Sequence, residues 1–437
     1  MQRLCGALLA SLCLVGLTFA SNGATKISVK AGAQGSGGLA VKTAKALIVP
    51  PDEAKAQYLD NALILVKDGK IQSVTPAHST EVPEGYEFLD VGQNWVMPGI
   101  VELHCHVGGT FDINDTVYLT NPGLSARSAI INDNPNLHRA IAAGVTSCLF
   151  IPGSGSNIGG TGVLFKTGHT KYEDSLIRDP GSMKLAQWGN PESWGPGVGM
   201  CFEHFNTRNT LRRGTGYAKA WESFEAGKGP EPEFNMQWEI FRELRKNNTT
   251  ISTHTQMYQV VLMTLTMVHD EFNLPVFLDH STIGGWLTGE LAAERGVPAI
   301  CGPRNVDPPL SRGMLNWSRT GFEGFRGVAA GYQERGHRLV GFNTDSPVIP
   351  QEDLIVQAAV GCRLGFKDDK LEAIRGLTVV PAITAKIEDQ VGHLSPGTDA
   401  DLVVISGHVA DVRTRVDYVF VDGIKMYDAK EEGQRRF

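Results

Sequence analysis

Basic residues, cysteines and long apolar runs are all scarce in this sequence of 437 residues. The 40 Lys and Arg residues are outnumbered by 47 Asp and Glu residues without a basic stripe, which excludes a typical nucleic-acid-binding protein. A mean hydropathy of −0.12 excludes a polytopic membrane protein, and 42% hydrophobic residues exclude a disordered chain. What remains is a globular chain that is long enough to bury a large core.

One apolar run stands at the N terminus, from Leu4 to Ala20. It follows the positive charge of Arg3 and gives way at once to a polar segment, a layout that is typical of a signal peptide over residues 1–20. An uncleaved anchor is the alternative. We therefore expect an exported protein, periplasmic or extracellular, that has no contact with the membrane once the signal is removed.

Few cysteines are present, and they do not resemble a disulfide framework. Two of the 7 fall within the signal segment, and the others are scattered, odd in number and without a CxxC pair. The remaining five are Cys105, Cys148, Cys201, Cys301 and Cys362. We expect buried free thiols. One disulfide is the alternative if the compartment is oxidising.

Both ends of the sequence have the pattern of β-structure. Short apolar runs in residues 39–98 are separated by the tight-turn pair Asp68-Gly69, and Asp422-Gly423 has the same role in residues 393–437. A Gly-rich linker over residues 21–38 precedes them. We expect the two ends to meet in one small composite β-sandwich domain.

Residues 99–392 alternate strand-like runs with helical segments, which predicts an α/β fold of the (β/α)8 TIM barrel type. A doubly wound open sheet is the alternative. Few residues with a helical pattern separate the third and fourth strands. An irregular segment over about 188–232, rich in Gly, Pro, Trp and Arg, is a candidate lid. The strand candidates are Gly99–His104, Val145–Ile151, Gly162–Lys166, Met183–Gln187, Ile251–His254, Val276–His280, Pro298–Cys301 and Leu339–Asn343.

The first barrel strand ends in His104-Cys105-His106. Because residues i and i+2 of a strand point to the same face, both imidazoles can bind one ion, and neutral imidazole suits Zn²⁺. Cys105 should then point away from that ion. His254, His280 and Asp345 each lie at the carboxyl edge of another strand candidate. In a barrel these edges converge on one mouth, which predicts a single metal site.

At this point the sequence resembles the amidohydrolase superfamily, in its imidazolonepropionase-like and prolidase-like branches. The matching segments are Met97–His106, Ala143–Thr146, His254, Asp279-His280, Gly341–Pro347 and Gly392–Val404. The resemblance covers roughly residues 40–430 in consistent order. It implies a barrel joined to a β-sandwich from both termini, as the pattern of the two ends already indicates.

The resemblance also implies a metal-dependent hydrolase that cleaves a C–N bond in a small amide, a dipeptide-like compound or a cyclic amide. A divalent metal, preferably Zn²⁺, would lower the pKa of a bound water to about 7. Asp345 would be a ligand and the proton acceptor, and His280 would be a ligand or would polarise the substrate carbonyl. Binuclear members use a carboxylated lysine, for which Lys184 is the candidate and Lys166 the competitor, so one or two ions are expected.

Three alternatives remain open: a metal-assisted deaminase, a lyase on the same barrel, or a binding protein without activity. The glycine-rich segment 153–162 lacks the GK[ST] signature of a phosphate loop and reads better as a flexible mouth loop. Several large side chains could line the mouth or grip a carboxylate, although packing and a solvated basic patch are the simpler interpretations. They are Trp188, Trp194, Trp221, Trp238, Arg208, Arg212 and Arg213. A homo-oligomer is possible.

Overall fold

The computed structural model describes residues 37–110, 113–116, 118–187, 199–307 and 326–431. The signal peptide expected over residues 1–20 lies outside these ranges, as does most of the linker over 21–38. Both therefore stay predictions. Within the described ranges, no helix combines the length and the apolar content that a membrane crossing requires.

Strands from both ends of the chain form one eight-stranded sheet. The strands are β1 (Leu39–Ile48), β2 (Gln57–Lys67), β3 (Lys70–Pro76), β4 (Glu87–Asp90), β5 (Trp95–Pro98), β16 (Leu402–Ile405), β17 (Val416–Val421) and β18 (Ile424–Asp428). Their order is β18-β17-β16-β5-β1-β2-β3, with β4 beside β1. Tight turns occur at Asp68 and Asp422, whose φ angles are 51° and 52°. The two ends do share a sheet; its arrangement as a two-layer sandwich and the domain boundaries stay predictions.

The middle of the chain forms a second eight-stranded sheet that nearly closes on itself. Its strands are β6 (Ile100–Cys105), β7 (Val145–Phe150), β8 (Ile158–Lys166), β9 (Leu176–Ala186), β10 (Thr250–Thr255), β11 (Val276–His280), β12 (Ala299–Cys301) and β15 (Val340–Phe342). The order is β15-β12-β11-β10-β9-β8-β7-β6. The two outer strands meet where His106 N donates to Ser346 O at 2.9 Å. This is a mixed α/β barrel, and each predicted strand overlaps one of its strands.

Helices connect most of the barrel strands. They are α1 (Pro135–Ala142), α2 (Tyr172–Ser175), α3 (Met200–Glu225), α4 (Glu239–Arg245), α5 (Tyr258–Met263), α6 (Gly289–Arg295), α7 (Val328–Gln333), α8 (Leu354–Arg363), α9 (Glu372–Leu377) and α10 (Val379–Ala385). A π-helix over Thr264–Glu271 follows α5, and two short strands, β13 (Val306–Asp307) and β14 (Arg326–Gly327), form a ribbon.

One strand departs from a regular (β/α)8 barrel. β8 is antiparallel to both of its neighbours, β7 and β9. The reason lies in the connections, because a parallel crossover needs a dozen or more residues and the segments on either side of β8 are shorter than that. The reversal places Lys166, the last residue of β8, beside Ser147 near the start of β7.

The segment over 188–232, expected to be irregular, contains the 26-residue helix α3. Its buried positions recur at helical spacing, but small and polar side chains occupy most of them, so hydropathy shows no periodicity. They are Glu203, Thr207, Thr210, Leu211, Gly214, Thr215 and Ala218. The expectation of an irregular lid is therefore wrong for the described part of this segment, while residues 188–198 lie outside the description.

The barrel strands are apolar on one face and polar on the other. Met183 and Leu185 of β9 pack into the main apolar cluster together with Leu278 of β11. The alternate residues Lys184 and Asp279 are equally buried. Since successive side chains of a strand point to opposite faces, this alternation places the polar set together on the other face of the sheet.

Candidate metal centre

The six residues predicted as ligands lie at or near the carboxyl ends of barrel strands. They are His104 (β6), His106, which follows β6, Lys184 (β9), His254 (β10), His280 (β11) and Asp345, which follows β15. All are buried except Asp345, which is partly buried. On the opposite face of β6, Cys105 packs in an apolar cluster with Cys148 and Phe150, so its side chain points away from the two histidines as expected.

The side chains converge on the Asp345 carboxylate. Its Oδ1 lies 3.3 Å from His106 Nε2 and 3.4 Å from His104 Nε2, and its Oδ2 lies 3.9 Å from His280 Nε2. Candidate ligand atoms of His104, His280 and Asp345 all lie within 4.8 Å of one another. On the rim of this group, His254 Nδ1 lies 3.0 Å from His280 Nε2, and Lys184 Nζ lies 3.0 Å from His104 Nε2.

The backbone aims two of these side chains through an uncommon conformation. His280 has a φ of 65° and Asp345 a φ of 50°, both in the left-handed region. Left-handed backbone costs a residue with a Cβ about 1–2 kcal/mol. Each residue stands where its strand ends, so this conformation turns the side chain away from the regular strand alternation. Such strain is common where a site needs a fixed side-chain direction.

Backbone carbonyls hold two of the imidazole rings. His106 Nδ1 lies 3.0 Å from Ile151 O, and His280 Nδ1 lies 2.8 Å from Gly302 O. A ring nitrogen that donates to a carbonyl leaves the other nitrogen with a free lone pair. In both residues that other nitrogen is Nε2, the atom that faces Asp345. The rings are therefore arranged as ligands before any ion binds.

Burial keeps three of the four imidazoles neutral. It lowers the pKa of His280 to about 4, and it lowers the pKa values of His104 and His254 well below the usual range. Burial also lowers the pKa of Lys184 to about 8, although Asp279 opposes the shift by favouring the charged amine. Uncharged imidazole is the form that binds a metal.

The Asp345 carboxyl keeps its charge in this setting. Burial alone would raise its pKa, but the neighbouring His280 and His106 outweigh burial and hold the pKa below its usual range. A carboxylate, four imidazoles and an amine within contact distance form a donor set that suits a divalent cation such as Zn²⁺. His254 Nε2 is buried and has no hydrogen-bond partner among the described residues. The residues present thus fit a metal ion.

Sequence and structure comparisons agree on the relationship of this chain. The family model described as "Amidohydrolase family" matches residues 326–425. Amidohydrolase tasK of Hapsidospora irregularis is 23% identical over 402 residues, which are 84% of this chain and 40% of that protein. The chain thus spans well under half of this curated relative.

Among solved structures, an amidohydrolase from Thermotoga maritima MSB8 has a TM-score of 0.75 and 25% identity, covering 89% of this chain and 100% of its own. The family model, the curated relative and this structure all support a relationship with the amidohydrolase superfamily. A prolidase solved with N-methylphosphonate-L-proline has the same fold, with a TM-score of 0.51, 17% identity and coverage of 90% of this chain and 100% of its own.

Of the two lysines that the superfamily pattern leaves open, the structure brings only Lys184 to the site. Lys166 lies among carboxylates near the opposite end of the barrel, because β8 runs antiparallel. Its Nζ is 2.7 Å from Asp399 Oδ2 and 3.2 Å from Asp401 Oδ1, and it also contacts Asp422. Lys166 therefore ties the barrel to the terminal sheet, and its role as a competing metal ligand is ruled out by position.

The glycine-rich segment 153–162 is a buried wall of the site and not an open loop. A Cβ added at Gly153 or Gly155 would lie 2.4 or 2.6 Å from Asn114 Oδ1, so these glycines permit close packing. Between them, Ser154 Oγ lies 3.0 Å from His254 Nδ1. The segment thus contributes a hydroxyl beside the ligand cluster, a residue that the sequence did not single out.

The large side chains considered for substrate contact make other contacts where they are described. Arg208 pairs with Glu271 at 3.0 Å, Arg212 donates to Asn209 at 3.3 Å, and the Arg213 guanidinium lies 5.0 Å from the Trp238 ring. Trp221 packs under the Arg242 guanidinium. Trp188 and Trp194 lie outside the described residues. None of the described contacts reaches the ligand cluster.

The structure adds two buried acidic side chains to which the sequence analysis assigned no role. Glu102 accepts hydrogen bonds from His104 N at 2.9 Å and from Thr344 N at 3.0 Å, so it joins β6 to the residue before Asp345. Burial raises the pKa of Glu102 to about 8. Asp279 Oδ2 lies 3.1 Å from His104 Nδ1. Both acidic residues lie within apolar runs that predict strands, and this position was the signal in the sequence that could have identified them.

Three of the five cysteines in the described residues are buried free thiols as expected, namely Cys105, Cys148 and Cys301. Cys362 is only partly buried and Cys201 is exposed near the start of α3. The expectation of burial is wrong for Cys201, since it stands on the outer face of that helix. No disulfide joins these five residues.

Proposed function

We propose that this protein is a metal-dependent hydrolase that cleaves C–N bonds in small amides, dipeptide-like compounds or cyclic amides. The observation that carries the proposal is the convergence of three imidazoles, those of His104, His106 and His280, on the Asp345 carboxylate. The relationship with amidohydrolases supports hydrolysis as the reaction type. Zn²⁺ is the proposed ion because the donor set is rich in neutral imidazole.

His104, His106, His254, His280 and Asp345 would hold the metal ion. A bound divalent cation polarises a carbonyl and makes water nucleophilic near neutral pH. Proton transfer and substrate orientation would be carried out by the side chains.

Asp345 would accept the proton of the attacking water as the C–O bond forms and deliver it to the nitrogen as the C–N bond breaks. The low pKa keeps the carboxylate ionised, and the group is only partly buried, so an oxygen can face the water and the substrate. His280 would orient the substrate carbonyl or complete the ligand set, with its ring fixed by Gly302 O.

We further propose that the cluster would hold two ions, with Lys184, carboxylated on Nζ, as a shared ligand. His104 and His106 flank one side of the cluster, His254 and His280 the other, and the Asp345 carboxylate reaches both. Lys184 is fully buried and its Nζ contacts His104. A buried, partly deprotonated amine is the form that reacts with carbon dioxide.

Replacing Lys184 by Met should lower the metal content of the purified chain from two ions toward one, because the proposed bridge is lost. Metal analysis by mass spectrometry measures the effect. The matched control is Lys166→Met, which removes the buried ammonium that Asp399, Asp401 and Asp422 share. It should lower the free energy of unfolding by about 3–5 kcal/mol and leave the metal content unchanged. Equal metal content in wild type and Lys184→Met would contradict the bridge.

The proposed activity is tested by incubating the zinc-loaded chain with dipeptides, N-acyl amino acids and cyclic amides. Dipeptides ending in proline come first, because the prolidase of similar fold was solved with an N-methylphosphonate of L-proline. Release of a carboxylate and an amine supports the proposal. Release of ammonia from a heteroaromatic ring would identify a deaminase, and a product without oxygen from water would identify a lyase.

The remaining proposals concern the setting of the enzyme. Export to the periplasm or the extracellular space follows from the pattern of residues 1–20, and a small molecule is the proposed partner. Whether the chain forms a homo-oligomer is measured by light scattering on the purified protein.

A further inference from the structure

We propose that Asp279 is a positioning residue that orients His104 and thereby sets the affinity of the site for its cation. The inference rests on the proposed function, since it assumes that His104 is a ligand. Asp279 itself would not touch the substrate.

The evidence begins with one contact inside the barrel. Asp279 Oδ2 lies 3.1 Å from His104 Nδ1, and neither side chain is exposed to solvent. Neither atom makes an aligned hydrogen bond within the described part of the chain, so each is available to the other. The other ring nitrogen, Nε2, lies 3.0 Å from Lys184 Nζ and 3.4 Å from Asp345 Oδ1. His104 therefore stands between two carboxylates, one on each nitrogen.

Asp279 and the next residue, His280, both reach the site, which a regular strand does not allow. In β11 Asp279 is paired with His254, and His280 with Thr255. The left-handed backbone of His280, with a φ of 65°, redirects its ring toward the site while Asp279 keeps the strand direction. The chain thus accepts a strained residue and gains a second acidic side chain beside the ligands.

This carboxylate differs from the partners of the other rings. His106 and His280 each direct Nδ1 at a backbone carbonyl, that of Ile151 and of Gly302. A carboxylate on Nδ1–H fixes the same tautomer but also makes Nε2 a stronger donor to a metal. Glu102 cannot take this part, because it already accepts from the backbone of His104 and of Thr344.

The test uses the full chain, stripped of metal, and titrates Zn²⁺ and Co²⁺ into wild type and Asp279→Asn. Asn keeps the shape but loses the charge, so the affinity should fall about 10–100-fold. The visible spectrum of bound Co²⁺ should shift as well, because a weaker His104 ligand changes the ligand field. If Asp279 had a role in folding alone, the substitution would change the unfolding midpoint of the metal-free chain. It would not change the Zn²⁺ affinity or the Co²⁺ spectrum.

The matched control is Asp401→Asn, a buried carboxylate in the Lys166 cluster far from the ligands along the barrel. It should lower stability without changing Zn²⁺ affinity. If wild type fails to bind either ion, the proposed function itself is wrong. If wild type binds and Asp279→Asn binds equally well, only the present inference is overturned.

A second measurement requires no variant at position 279. NMR of zinc-loaded wild type with ¹⁵N-labelled histidine should show a protonated Nδ1 and a metal-bound Nε2 for His104, assigned by comparison with zinc-loaded His104→Gln. A His104 that binds the ion through Nδ1 would overturn the inference, whatever the Asn variant does.

Discussion

Asp345→Asn should reduce turnover by about 10²–10⁴-fold, which is the usual contribution of a general acid–base group. The amide has the size of the carboxylate but cannot accept the proton of the attacking water. It also removes the charge that His106 and His104 face at 3.3 and 3.4 Å. The measurement is kcat on the best substrate of the screen, together with the metal content of the variant.

The fold should survive this substitution. Asp345 is only partly buried, and its left-handed φ of 50° is a conformation that Asn adopts as readily as Asp. An unchanged unfolding midpoint with lost turnover is the expected pair of results. Turnover at the wild-type rate in a variant that keeps its metal would show that Asp345 carries no proton, and the mechanism would have to be abandoned.

His104→Ala should abolish tight metal binding and, with it, activity. This ring contacts more of the cluster than its neighbours do, since it lies within 3.4 Å of Asp279, Lys184 and Asp345. Removing it deletes one ligand and separates the lysine from the carboxylate. Metal content per chain after dialysis should fall from two ions to near zero.

The control for this variant is His337→Ala. His337 is also a buried histidine, but its ring bonds Val297 O at 2.8 Å and accepts from Leu339 N at 3.1 Å, away from the ligand cluster. The His337→Ala variant should have a lower free energy of unfolding than wild type and the same metal content. A His104→Ala protein that keeps the full wild-type metal content would mean that the ion binds elsewhere.

Much of the fold could be predicted because the strands of a barrel correspond to short, apolar and regularly spaced segments of the sequence. Each predicted strand overlaps a barrel strand, and β11 agrees at both ends, Val276 and His280. Strand direction was harder to predict, since an apolar sequence pattern does not reveal that β8 runs antiparallel to its neighbours. Helix α3 was missed because its buried stripe contains threonine and glycine in place of leucine.

The ligand residues could be predicted because each stands where an apolar run ends. Their supporting residues could not, since the contact between Asp279 and His104 joins positions that are distant in the chain. Alternation along β11 would even have placed Asp279 and His280 on opposite faces, and only the left-handed backbone of His280 brings both inside. The reversal of β8, not any property of the side chain, decides between Lys184 and Lys166.

The central claim is that side chains from separate strands share one metal site, and diffraction at the zinc absorption edge tests it most directly. Crystals of the zinc-loaded chain should give anomalous density bounded by His104, His106, His280 and Asp345. Density in that place alone would support the account. Zinc bound only at other surfaces, or a zinc-saturated chain with no density there, would contradict it.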